Sequence, residues 1–243
     1  MSEAELKKLT RREALGLFGA ATAALSVGAC SSGSPTSPTA TTTTAAATTT
    51  GTTTTPPATT ACVVTPSETA GPFPSIALPT RSDVREDRQG LQLTLAISVV
   101  NTNANCAPVT GASVEIWHCD ARGDYSEYGT QTSATWLRGL QPVDASGKAT
   151  FITVYPGWYQ GRATHIHVEV FVGGRTVKTT QIAFPEDVNN AVYATGVYAA
   201  RGQNPQKNAN DMVFADGFTS ELATMSGSPT SGYNATFTVG VAI

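Results

Sequence analysis

A series of short strand-like runs, separated by turn-forming clusters, is the feature that most limits how this chain can fold. The clusters, for example 101–105, 144–147 and 173–174, are rich in Asn, Asp, Ser and Gly, which favour tight turns. Six runs have strand character: 91–100, 112–119, 148–154, 165–172, 176–183 and 235–241. None of them has the apolar spacing of an amphipathic helix. The pattern predicts an all-β fold, an antiparallel β-sandwich, wrapped by an irregular tail over 185–232 with a short helical turn near 219–225.

The first thirty residues have the composition of an export signal. Four basic side chains precede an apolar stretch, 14–29, that is rich in Ala and Gly and short for a membrane span. The pair Arg11-Arg12 resembles the twin-arginine element, which directs export of folded proteins. The stretch ends at Cys30 in a sequence similar to a lipoprotein processing site. We therefore expect twin-arginine export and a lipid anchor at Cys30, with simple cleavage near Ala29 as the alternative.

Residues 31–60 consist of Thr, Ala, Ser, Gly and Pro, without an aromatic or charged side chain. Such a segment buries too little apolar surface to offset the entropy of ordering, so it is predicted to be a flexible linker. The remaining residues, 61–243, are long enough for one well-buried domain. Three organisational units follow: a signal segment (1–30), a linker (31–60) and a catalytic or binding domain (61–243).

The charge of the chain excludes some classes of partner. The formal net charge is −3 and the basic residues form no stripe, so the sequence predicts no nucleic-acid partner. Contact with a membrane is expected only through Cys30. The sequence leaves the oligomeric state open.

Three cysteines fall in the predicted domain. Cys62 and Cys106 lie in irregular segments on either side of the first long strand, so in an oxidising compartment they form the favoured disulfide pair. Cys119 lies within a strand-like run. It is predicted to be a buried free thiol that acts as a small packing residue.

Two of the three histidines, His165 and His167, are one residue apart in a strand-like run. Alternate residues of a strand face the same way, so both imidazoles lie on one face while Ile166 and Val168 lie on the other. The aliphatic face can pack into a core and leave the imidazoles free to bind one metal ion. The pair alone does not distinguish a metal site from two solvated histidines.

A second group of residues surrounds the turn at 120–123, which follows Trp117 and precedes Tyr125. Together with the histidine strand, these residues resemble the intradiol ring-cleavage dioxygenases, non-haem ferric enzymes that open catechols between their two hydroxyls. The matching motifs are Glu-Thr-Ala-Gly-Pro-Phe at 68–73, Trp-His-Cys-Asp-Ala at 117–121 with Tyr125, Leu-Arg-Gly at 137–139, Tyr-Pro-Gly-Trp-Tyr at 155–159, Arg162, His-Ile-His at 165–167 and Thr-Gln at 180–181. The fold that this resemblance implies is a β-sandwich.

The resemblance implies a role for each of six residues. Non-haem Fe(III) would be held by two tyrosinates and two histidines, which correspond to Tyr125, Tyr159, His165 and His167. The catalytic arginine corresponds to Arg162 and the active-site glutamine to Gln181. The implied reaction joins a small-molecule catechol with O2 to give a cis,cis-muconate-type dicarboxylate.

Phenolate oxygens suit such a metal, because ferric iron is a hard ion that lowers the pKa of a bound phenol far below its usual value of about 10. In the implied mechanism Tyr159 leaves the metal and accepts a substrate proton, while Tyr125 stays bound. Arg162 stabilises the developing negative charge, and Gln181 orients the substrate or a ligand.

Two alternatives from other classes remain open at this stage. One is a non-catalytic, transthyretin-like binding module, whose turn motif is similar to the pattern formed by Asp144, Gly147 and Phe151. The other is a zinc hydrolase that uses His118, His165 and His167, because three histidines with an open position form a known catalytic zinc set. On the dioxygenase interpretation, His118 is instead a core histidine or one that supports the ligands. The ring substituents of the catechol cannot be read from the sequence.

Overall fold

The computed structural model of the protein describes residues 62–243. The predicted export signal, the linker and the anchor at Cys30 lie outside the described residues. In the described part, no helix combines the length and the hydrophobicity that a membrane-spanning helix requires.

Two β-sheets make up the domain. The first contains β1 (Gln92–Asn101), β2 (Ala107–Pro108), β5 (Lys148–Val154), β8 (Thr224–Ser228) and β9 (Gly232–Val241). The second contains β3 (Ala112–Trp117), β4 (Arg138–Pro142), β6 (His165–Val172) and β7 (Arg175–Ala183), in the order β4-β3-β6-β7. The predicted β-sandwich is confirmed, and the predicted strands 148–154 and 165–172 have the observed bounds.

One pair of strands departs from the antiparallel prediction. β1 and β9 pair in parallel along their whole length, whereas the other pairs of strands are antiparallel. The chain reaches β9 only after it has built the second sheet and the tail. A long connection therefore joins β1 to β9, and no short hairpin turn forces the two strands to run in opposite directions.

The core forms between the sheets because each strand alternates inward apolar and outward polar residues. β1 shows the pattern clearly: its even positions are outward, and Leu93, Leu95, Ile97 and Val99 are fully buried. From the second sheet, the aliphatic face of β6 enters the same core. The other face of β6 remains available for His165 and His167.

The tail is more regular than predicted. It contains one α-helix, α1 (Glu186–Tyr193), and two short 3-10 turns. Two acidic residues in its first turn, Glu186 and Asp187, favour the helix through the peptide dipoles. The predicted helical turn at 219–225 is wrong, because the chain there makes a turn and then enters β8 at Thr224.

The N-terminal arm, residues 62–79, is fastened to both sheets. Cys62 and Cys106 form a disulfide with a Cα–Cα distance of 5.7 Å, which confirms the favoured pairing. Thr65 then donates its backbone N–H to Gly240 of β9, and Glu68 donates its backbone N–H to Thr179 of β7. The arm thus crosses from the first sheet to the second and delivers residues 68–73 to the histidine face. Cys119 is a buried free thiol, as predicted.

Candidate metal centre

A row of four side chains crosses the outer face of the second sheet. Arg138 of β4 is directly opposite Trp117 of β3, Trp117 is opposite His167 of β6, and His167 is opposite Gln181 of β7. Directly paired residues point to the same face of a sheet. The register of three strand pairs therefore brings together residues that are up to 64 positions apart in the sequence.

His167 is fully buried, and neither of its ring nitrogens has a hydrogen-bond partner. The indole of Trp117 stacks on the imidazole, with 4.8 Å between ring centroids and 2° between planes. Burial lowers the pKa of His167 well below 6.5, so the ring is neutral at pH 7. A buried neutral imidazole without a partner is costly unless one nitrogen binds something else, and a metal ion is such a partner.

His165 lies beside His167, with 4.8 Å between the ring centroids. Its Nδ1 donates a hydrogen bond of 2.6 Å to the carbonyl of Ala163, which fixes the tautomer and leaves the Nε2 lone pair free. Nε2 is 3.2 Å from Oη of Tyr159. Burial lowers the pKa of His165 to about 3. The imidazole is therefore a neutral donor aimed at the phenol of Tyr159.

Tyr125 is delivered to the same place by the turn after β3. The Asp120 carboxylate accepts the backbone N–H groups of Arg122 and Asp124, at 2.8 and 3.1 Å, and so holds the turn. The Tyr125 ring centroid is 5.8 Å from that of Tyr159 and 6.3 Å from that of His167. Its Oη is buried without a hydrogen-bond partner, and burial raises the pKa of the phenol well above 10.

These four side chains fit a ferric ion. Two imidazole nitrogens and two phenol oxygens converge, and several of those atoms have no other partner. Burial also raises the pKa of Tyr159 above 10, although Arg162 opposes the shift. The phenols would ionise only beside a strong positive charge, which Fe(III) supplies. The structure brings all four sequence-predicted ligands together.

Arg162 and Gln181 also lie at this centre, as expected. Arg162 donates through Nη2 to Oε1 of Gln181, at 2.6 Å, and through Nε to both carboxylate oxygens of Asp211, at 2.9 and 3.1 Å. Gln181 in turn donates to the carbonyl of Thr69, at 2.8 Å. Asp211 was missed at the sequence level, because it lies 49 residues from Arg162 within the irregular tail. The sequence could have indicated Asp211 only indirectly, because a buried arginine such as Arg162 needs an acidic partner.

Comparison with known proteins decides the family. A family model described as dioxygenase matches residues 75–211, which contain all six predicted site residues. The chain belongs to the intradiol ring-cleavage dioxygenases. The binding-module alternative is therefore not supported. The turn at Asp144 and Gly147 connects β4 of the second sheet to β5 of the first, and the Asp144 side chain accepts hydrogen bonds from Ser146 and Lys148.

Solved structures support the same assignment. An intradiol ring-cleavage dioxygenase from Tetranychus urticae is 26% identical, with a TM-score of 0.71 over 74% of this chain and 95% of that one. The dioxygenase domain of a dioxygenase carbohydrate-binding fusion from Streptomyces sp. SirexAA-E is 28% identical, with a TM-score of 0.56 over 74% and 99%. Hydroxyquinol 1,2-dioxygenase from Pseudomonas putida DLL-E4, at 17% identity and a TM-score of 0.57 over 74% and 66%, shares the fold.

The arm packs against the candidate metal centre. Phe73 stacks on Tyr125 with 4.6 Å between ring centroids, and its carbonyl accepts from the buried guanidinium of Arg138 at 3.1 Å. Gly71, with φ at +71°, passes so close to His167 that an added Cβ would lie 3.0 Å from Cε1. Only glycine combines this backbone conformation with this approach. Residues 68–73 thus cover the centre.

His118 does not join the other two histidines. It is fully buried, its Nδ1 is 2.8 Å from the Cys119 carbonyl, and its Nε2 is 2.7 Å from Oγ1 of Thr153. Both ring nitrogens are therefore occupied, and burial lowers the pKa to about 4. A zinc site that requires His118 would have to break both hydrogen bonds. The structure agrees with the alternative role of a core histidine.

Proposed function

We propose that the protein is a non-haem Fe(III)-dependent dioxygenase that cleaves catechol-type rings between the two hydroxyls and gives cis,cis-muconate-type dicarboxylates. The observation that carries the proposal is the convergence of Tyr125, Tyr159, His165 and His167 with unpartnered donor atoms among them. The family assignment supports the reaction class. Two anionic and two neutral donors stabilise a ferric ion better than a ferrous or zinc ion.

These four side chains would hold Fe(III), which would supply a Lewis acid that a catechol dianion can chelate and that makes the ring reactive toward O2 without an external reductant. Tyr159 is only partly buried, whereas Tyr125 is 4% exposed. We therefore assign Tyr159 the mobile role: its Oη would give up its place among the ligands and accept one of the two protons of the incoming catechol, and a hydroxide would accept the other. Tyr125, held by the turn at Asp120 and by Phe73, stays in place.

Arg162 is the residue that stabilises negative charge on the reacting ring. Asp211 holds its Nε and Gln181 holds Nη2, so the guanidinium cannot rotate away. Donors that are fixed before the reaction cost no reorganisation when charge develops. Gln181, anchored to the Thr69 carbonyl, positions Arg162 beside the N-terminal arm.

The proposal is tested with the full chain loaded with Fe(III). The visible spectrum is recorded with a panel of catechols without oxygen, after which 18O2 is admitted and the products are identified by mass spectrometry. We expect a reddish protein whose spectrum shifts with catechol, and a dicarboxylate that contains both oxygen atoms. A colourless iron-loaded protein, or cleavage beside rather than between the hydroxyls, would refute it.

We further propose that the protein is exported by the twin-arginine route and anchored through Cys30. The support is the Arg11-Arg12 pair and the apolar stretch that ends at Cys30. Mass spectrometry of the mature N-terminus checks this. A lipid-modified Cys30 agrees with the proposal, and an intact N-terminus contradicts it.

A further inference from the structure

Three carboxylates come together where the N-terminal arm meets the edge strand β7. Carboxylate oxygens of Glu68, Asp216 and Glu221 all lie within 4.8 Å of one another. We call them the acidic cluster. Within residues 62–243, none of the three takes part in a salt bridge. Their mutual repulsion is therefore not balanced by a paired cation.

Glu221 gives the cluster a feature that ordinary surface carboxylates lack. The residue is fully buried, its Oε1 accepts a 3.0 Å hydrogen bond from Thr180, and its Oε2 is buried with no partner. Burial, together with the negative charges of Glu68 and Asp216, raises the pKa of Glu221 to about 8. A buried carboxylate oxygen without a partner is costly, so a ligand for Oε2 would be strongly stabilising.

Two basic side chains that interact electrostatically with the acidic cluster, Arg162 and Lys178, already have other partners. Arg162 is bound to Asp211 and Gln181. The ammonium of Lys178 donates to the Thr65 carbonyl at 2.7 Å and to Ser67 at 2.8 Å. Neither forms an ion pair with a carboxylate of the acidic cluster.

We propose that Glu68, Asp216 and Glu221 form a second metal site, distinct from the iron centre, that binds Ca2+. An all-oxygen set of three carboxylates suits a hard cation. Mg2+ demands near-ideal octahedral geometry and usually binds through one or two carboxylates, whereas Ca2+ accepts an irregular site completed by water. The exposed position of Asp216 gives such water access.

A cation at this position fastens the arm beside the iron centre. Glu68 precedes Thr69, whose carbonyl accepts from Gln181, and Glu221 binds Thr180, which precedes Gln181. The acidic cluster thus bridges the two chain segments on either side of the Gln181–Thr69 hydrogen bond. Ca2+ would hold residues 68–73 over the centre and would raise the stability of the whole domain.

The test is a calcium titration of the iron-loaded full chain after dialysis against a calcium-selective chelator, followed by calorimetry and by Tm, with iron content measured throughout. For the wild type we expect a saturable heat of binding and a Tm rise of roughly 5–10 °C at a hundredfold excess over Kd. Glu221→Gln should abolish the rise and, without calcium, should have a Tm no lower than the wild type. Asp216→Asn, at an exposed position, should weaken binding at least about tenfold without disturbing the fold.

Asp87→Asn is the matched control, because Asp87 is an exposed carboxylate outside the acidic cluster and is paired with Arg88. It should keep the full Tm rise. A wild type that shows no saturable response to calcium, or a response that survives in both cluster variants, overturns the proposal. Binding heat and Tm do not depend on turnover, so a failure of the calcium proposal can be distinguished from a failure of the proposed ring cleavage.

Discussion

At the scale of single residues, the centre is defined by polar atoms that burial leaves without a partner. Tyr125 and His167 contribute such atoms, whereas the comparably buried His118 has both ring nitrogens hydrogen-bonded. Sequence patterns proposed all three as candidates. Only the structure distinguishes the ligand His167 from the core histidine His118, because the distinction depends on the hydrogen bond between His118 and Thr153, 35 residues away.

Tyr125→Phe tests the ligand role at this scale. Removal of one phenolate donor should weaken the visible absorption and lower kcat/KM by more than about 100-fold. Even the loss of a residue that only hydrogen-bonds a metal ligand typically lowers metal affinity or activity by about 10–100-fold. Tyr128→Phe is the matched control: its hydroxyl donates to the Pro74 carbonyl, and it also packs on Phe73. It should keep the spectrum and lose about 1 kcal/mol or less of stability. Equal spectra for the two variants would contradict the ligand assignment.

His118 predicts a dependence of stability on pH. Its folded pKa, about 4, lies below the unfolded value of 6.5, so the unfolded state binds the proton more readily between these values. Stability from this residue is complete above pH 6.5 and is lost as pH falls toward 4, by an amount of about 3 kcal/mol. Urea unfolding of metal-free wild type and His118→Gln should show a steeper decline for the wild type. Parallel curves would be evidence against the prediction.

At the scale of elements, the strands on which the site lies were the most predictable part. The alternation in β6 fixed both its bounds and the face that carries His165 and His167. β2, β4 and β8 were missed because they are short or rich in Gly, Pro and Ser. The row from Arg138 to Gln181 was not predictable, since it depends on the register between strands.

Gly71→Ala tests how closely the arm must approach the sheet. Alanine at φ +71° is strained and also places a Cβ 3.0 Å from His167, so we expect lost stability and a lower iron content. Gly111→Ala is the control, because Gly111 has φ at +81° with open space around the Cβ position. Both variants should lose about 1–2 kcal/mol, and only the first should lose iron. Full iron occupancy in Gly71→Ala would show that the contact is unimportant.

At the scale of the whole molecule, the arm connects the two sheets and covers the centre. The disulfide fixes the start of the arm, hydrogen bonds to Gly240 and Thr179 fix residues 65 and 68, and Phe73 stacks on Tyr125. The pairing of Cys62 with Cys106 was foreseeable from their positions. The path of the tail was not, because 185–232 lacks a strong periodicity and is placed by contacts such as that of Asp211 with Arg162.

The disulfide should contribute substantially to stability. It closes a loop with a sequence separation of 44 residues, for which the chain-entropy estimate is about 4 kcal/mol. Cys62→Ser/Cys106→Ser should lower the free energy of unfolding by about that amount, measured by urea denaturation under oxidising conditions. A reductant should destabilise the wild type and leave the double variant unchanged. An equal effect on both proteins would mean that the disulfide is not responsible.

Diffraction at the iron absorption edge, from crystals of the iron-loaded protein, tests the central claim most directly. We predict one anomalous peak enclosed by Oη of Tyr125, Oη of Tyr159, Nε2 of His165 and a ring nitrogen of His167. A protein that binds its iron elsewhere, or that leaves these four side chains turned away from a common point in the crystal, would contradict the account.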